Sequence, residues 1–145
     1  MKKFSLLFAL VITLFISSCS SDDNGNQDNT QLIVGKWEFF QVSETTDGSE
    51  QLEAYEHYAN CGKDNIEFFG NGTFEDNYFE FSSSQCHSYS ETGTWSINGN
   101  TMTTSYGNGD STLQIITLDQ SVLKVKSTYV SGNVTYTNVS VFKRL

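Results

Sequence analysis

From residue 34 onward, short runs of β-branched and aromatic residues alternate with Gly- and Asn-rich turns, and this alternation constrains the fold more than any other feature. The runs are 34–43, 65–69, 73–81, 92–97, 101–106, 111–118, 122–130 and 134–142. Asn98-Gly99 and Gly132-Asn133 tolerate the positive φ that two-residue hairpin loops require. Gly70-Asn71-Gly72, Gly107-Asn108-Gly109 and Asp119-Gln120 separate other neighbouring runs by only a few residues. Links so short force antiparallel neighbours, because a parallel crossover needs about a dozen residues or more. An open meander would leave two edges to protect, and closing the sheet on itself removes both. The expected fold is all-β, an eight-stranded antiparallel up-and-down barrel.

One segment breaks the pattern. In 49–60, Leu52, Tyr55 and Tyr58 recur at helical spacing with acidic residues early, which predicts a short helical insert between strands one and two. In a barrel such an insert would lie over one open end.

The first 18 residues have the anatomy of a secretory signal peptide: Lys2 and Lys3, an apolar run from Phe4 to Ile16, then Ser17 and Ser18. The apolar run is short for a span of about 20 residues, so a processed leader is expected. Removing its two lysines leaves six basic residues against 17 acidic ones, a net charge of −11. That sign excludes nucleic acid, whose binders must neutralise phosphate, and excludes electrostatic attachment to anionic lipid. Residues 20–31 contain no large apolar side chain and read as a flexible acidic tether.

Several motifs together resemble a known family. Gly35-Lys36-Trp37 looks like the Gly-x-Trp signature of lipocalins, and Phe142-Lys143-Arg144 supplies the terminal arginine of such barrels. Phe69-Gly70-Asn71-Gly72-Thr73-Phe74 and Gly93-Thr94-Trp95-Ser96-Ile97 resemble motifs of small bacterial lipocalin-like lipoproteins. The similarity covers residues 32–145, the expected barrel domain. It implies that Trp37 plugs the closed end with Arg144 over its indole, an arrangement that a guanidinium–tryptophan attraction supports. The alternative is an ordinary core tryptophan and a solvated terminal arginine.

Ile16-Ser17-Ser18-Cys19 resembles a lipobox, in which Cys19 is lipidated and becomes the mature N-terminus; Ile16 replaces the usual leucine. Ser21-Asp22-Asp23 looks like a surface-export signal of some Gram-negative lipoproteins. The resemblance implies an outer-membrane lipoprotein, at the cell surface or on the periplasmic face, held by an N-terminal lipid anchor.

Cys61 and Cys86 then remain as an even pair in an oxidising compartment, and a disulfide is expected. A zinc site completed by His57 and His87 is the competing possibility, but the spacings match no compact zinc motif, so no metal is assigned. No cofactor is implied. Neither histidine lies in a nucleophile motif, and Glu75 and Glu80 read as outward strand residues, so no catalytic residue is assigned and the chain is not read as an enzyme.

The functional candidate is the barrel interior. Phe68, Phe74, Tyr78, Trp95, Met102, Tyr106, Ile115, Val125, Tyr129 and Tyr136 are the expected lining of a cavity for a small hydrophobic or amphipathic ligand. A filled barrel acting as a structural or interaction module of the cell envelope is the alternative.

Overall fold

A computed structural model describes residues 29–145. The leader, Cys19 and the tether up to residue 28 lie outside the described residues. The elements are α1 (Asn29–Ile33), β1 (Gly35–Thr45), β2 (Glu53–Ala54), β3 (Asn65–Phe68), β4 (Thr73–Ser82), β5 (Gln85–Asn98), β6 (Thr101–Ser105), β7 (Asp110–Leu118), β8 (Val122–Ser131) and β9 (Val134–Arg144).

Apart from the two-residue β2, eight strands pair antiparallel in sequence order, and β9 returns to β1 to close the barrel. The hairpin loops explain the order. Gly99 and Gly132 hold φ values of 60° and 62°, which an L side chain adopts only with strain. Bulges interrupt the register between Phe39 and Gln41 and between Ile115 and Thr117, so side-chain parity reverses there. Ile33, Trp37, Phe68, Phe74, Met102 and Leu123 are the largest fully enclosed side chains.

The expected helical insert is absent: residues 49–60 carry no helix, and the one described helix, α1, precedes β1. The free edge of β1 explains this. β3 pairs with β1 only from Gly35 to Glu38, leaving the rest of that edge without a ladder. Residues 53–64 serve it instead as an extended strap. Gln41 and Val42 pair with β2, Tyr55 N donates to Phe40 O (2.9 Å), and Phe39 N donates to Asp64 O (3.2 Å). A helix would have spent those backbone groups internally.

The segment also misses the open end. Gln51 N donates to Ser43 Oγ, and Glu50 pairs with Lys124 at 2.5 Å. Lys124 alternates with the inward-facing Leu123 and Val125, so this contact lies on the barrel's side, and the mouth is left uncovered.

Two further boundaries differ from expectation. Residues 29–31, expected in the tether, form most of α1. β5 starts at Gln85, not 92, because a polar arm that faces no core lacks the apolar alternation that signals a strand. Its turn is equally silent in the sequence, since Ser83 and Ser84 take the positive φ values (52° and 63°) usually held by Gly or Asn.

Candidate functional site

One pole of the barrel is sealed. Trp37 is fully buried, and its Nε1 donates to Ile33 O at 2.7 Å. The Arg144 guanidinium lies 4.1 Å from the centre of the Trp37 ring, and its Nη atoms donate to Val34 O (2.9 Å) and Leu32 O. Helix-end carbonyls, which lack intrahelical donors, are thus satisfied by the residues that form the plug. Gly35 is required here: its φ is +131°, and a Cβ would lie 2.5 Å from Arg144 Nη1. The Gly-x-Trp motif is therefore one steric unit with Arg144.

The other aromatic motif has a similar logic. Gly93 opposes Phe74 across the β4–β5 ladder, and a Cβ on Gly93 would meet Ser105 O at 2.3 Å and the Phe74 ring at 2.5 Å. Trp95 Nε1 donates to Thr73 O (2.9 Å) and Phe69 O (3.1 Å), fixing the turn between β3 and β4.

Between the plug and the mouth lies a cavity of about 230 Å³. Four residues of the expected lining border it: Phe68, Met102, Tyr106 and Val125. Phe74, Trp95 and Ile115 are buried in the surrounding core instead. Tyr78, Tyr129 and Tyr136 lie further out on long hairpins; Tyr78 stacks on Tyr89 (5.2 Å) and Tyr129 on Tyr136 (5.0 Å). Leu113 and Leu123 share the parity of Ile115 and Val125, so the period-2 pattern that selected those two also marks them. Ile66 and the pair Phe39 and Phe142, tilted and 4.6 Å apart, complete the apolar wall.

Sequence reasoning also missed the polar part of the wall. Asp76 lines the cavity, and Tyr106 Oη donates to its Oδ2 at 3.0 Å. Burial raises the Asp76 carboxyl above its ordinary value; the Tyr106 hydrogen bond opposes this and the Glu91 charge adds to it. Burial and the Asp76 charge together raise the Tyr106 phenol. Tyr106 is 41% exposed, so this polar group connects the cavity to the mouth. Glu80, expected to face outward, has the same parity as Asp76 and opposes His87 near the end of the hairpin. Glu75 alternates with them.

The strap is bolted beside the cavity. The buried Asp64 carboxylate accepts Phe79 N (2.9 Å) and Tyr55 Oη (2.6 Å), and the Tyr55 ring packs 5.0 Å from Phe39. Asp64 N donates to His57 Nδ1, so neutral His57 carries its proton on Nε2, which donates to Phe39 O at 3.0 Å. Cys61 and Cys86 are joined by a disulfide that ties the strap to the β4–β5 hairpin. As bridged sulfurs they are not thiolate ligands, and among the described residues no group of three or more His, Cys, Asp or Glu could hold a metal.

A closed antiparallel barrel with a sealed pole and a hollow interior defines the class of up-and-down barrels. The family model described as a lipocalin-like domain matches residues 33–125, and the chain belongs to that family. No curated protein matches the sequence.

Among solved structures, a deswapped triple mutant of bovine odorant binding protein is similar, at 15% identity over 79% of this chain and 74% of its own, TM-score 0.46. The bovine lipocalin allergen Bos d 2 is similar at 13% identity, over 79% of this chain and 73% of its own, TM-score 0.46. Lobster apocrustacyanin A1 is similar at 17% identity, over 83% of this chain and 63% of its own, TM-score 0.48.

Proposed function

We propose that the chain is an exported lipoprotein, anchored through Cys19, whose barrel takes up a small hydrophobic or amphipathic molecule through its open end. The observation that carries the reading is the cavity of about 230 Å³, walled by aromatic and aliphatic side chains together with Asp76, Thr104, Ser111 and Ser140. At interior packing density it accommodates roughly ten non-hydrogen atoms, a short chain or a single ring system. The leader and the lipobox-like Ile16-Ser17-Ser18-Cys19 support the anchor.

The fold bears on the side from which such an anchor would reach the barrel. Asn29 Nδ2 donates to Gly99 O, and α1 ends against the Trp37 plug, so the described residues begin at the sealed pole.

The neutral fluorophore 1-naphthylamine, a single fused ring system of the cavity's size, tests the binding reading. Its emission should rise and saturate with the wild-type protein, and Leu113→Trp, which fills the cavity, should abolish the rise while leaving the circular dichroism spectrum unchanged. An equal rise with both proteins would place the probe elsewhere and overturn the reading. Mass spectrometry of the native protein tests the anchor: acyl mass on Cys19 is expected, and an unmodified Cys19 overturns it.

A further inference from the structure

The charges around the cavity point to the kind of head group it accepts, an inference that rests on the cavity being a binding site. None of the described residues lining the cavity is Lys, Arg or His, and its one ionisable acid is Asp76. Directly opposite Asp76 across the β4–β5 ladder stands Glu91. Two facing carboxylates destabilise a ladder unless a cation lies between or near them. The described ion pairs involve Glu38 and Glu50, and none reaches Asp76 or Glu91. The buried Asp64 adds a third negative charge to the electrostatics of Asp76.

The rungs of this hairpin form an ordered track along its inward face. From the core outward they are Phe74 and Gly93, Asp76 and Glu91, the stacked Tyr78 and Tyr89, then Glu80 and His87. An apolar cavity thus opens onto carboxylates and then onto tyrosine rings. Aromatic faces attract cations, and carboxylates supply the opposite charge and hydrogen-bond acceptors. A fatty-acid carboxylate in the same place would meet like charge with no Lys, Arg or His among the described lining residues to offset it.

We propose that the barrel selects amphiphiles with a cationic head, of the alkylammonium class. The alkyl tail occupies the cavity beside Phe68, Met102 and Leu123. The ammonium group lies at the Asp76–Glu91 rung, against the Tyr78 and Tyr89 rings.

Calorimetric titration of the purified full chain with octylammonium, octanol and octanoate at neutral pH tests this, since the three probes share one tail. Octylammonium should bind at least about tenfold more tightly than octanoate, with octanol between them. The ratio of the two charged probes should fall toward one in Asp76→Asn/Glu91→Gln, and partly in Glu91→Gln alone, whose site is exposed. Octanoate binding as tightly as octylammonium overturns the charge preference but leaves the cavity reading intact. A wild-type preference that survives both variants overturns the assignment to Asp76 and Glu91. Failure of all three probes to bind overturns the cavity reading itself.

Discussion

Arg144 and Trp37, 107 positions apart in the chain, form one unit: the guanidinium lies 4.1 Å above the indole while its Nη atoms hold the carbonyls at the end of α1. The stacked pair seals the barrel and fastens the helix to it. Arg144→Ala removes both functions and should destabilise by about 3 kcal/mol, the sum of a cation–π contact and charged hydrogen bonds discounted for non-additivity. Gly35→Ala should be costly too, because it combines an unfavourable φ with a contact on Nη1. Urea titration checks both; the midpoint should fall with an unchanged slope.

The Cys61–Cys86 bridge closes a separation of 25 residues. On the chain-entropy argument its removal should cost roughly 3.5 kcal/mol, or on the order of 10 °C in Tm for a domain this size. Calorimetry of Cys61→Ser/Cys86→Ser checks this. A Tm within a degree or two of wild type would mean that the strap holds without the bridge.

Asp64 ties the strap to β4 through Phe79 N and Tyr55 Oη, and its backbone N–H fixes His57. Asp64→Ala leaves two donors unsatisfied and should cost about 3 kcal/mol. Nitrogen chemical shifts should report neutral His57 as the Nε2–H tautomer; the Nδ1–H form would contradict the described bonding.

Asp76 and Asp119 should respond oppositely to pH. Burial raises the Asp76 carboxyl, so its contribution to stability is complete below the ordinary value of 3.8 and is lost as pH rises through the raised one. Asp76→Asn, which mimics the protonated acid, should therefore gain on wild type as pH increases through that window. Asp119, lowered by hydrogen bonds from Ser121 N, Ser121 Oγ and Val122 N, contributes above 3.8 and loses that contribution as pH falls through its depressed value. Asp119→Asn should thus approach wild type in acid. Unfolding curves across the acid range read both signs.

The barrel was legible because its turns announce themselves: Gly99 and Gly132 mark hairpins that only antiparallel neighbours can share. The plug was legible through the motif at Gly35 and Trp37, though the reason for the glycine appears only once Arg144 is beside it. The strap was not legible. Leu52, Tyr55 and Tyr58 fit a helical period, and nothing local discloses that β1 has an unpaired edge waiting for them. The arm at 85–91 was hidden for a related reason, since a strand beyond the core has no apolar face to display. Within the cavity, alternation pointed to Phe68, Met102, Tyr106 and Val125 but not to Phe39, Phe142 or Asp76. An acid at an inward position reads as an error of register until its Tyr106 partner is seen across the barrel.

On the proposed function, a small apolar or amphipathic molecule enters the barrel and occupies the cavity between the Trp37 plug and the mouth. The most direct measurement is NMR of the methyl-labelled protein with octanol, reading intermolecular nuclear Overhauser effects. Contacts from the alkyl protons to the methyl groups of Met102, Leu113 and Leu123 are the predicted result. Contacts confined to exposed methyls such as those of Val130, with none to the cavity wall at saturating octanol, would contradict it.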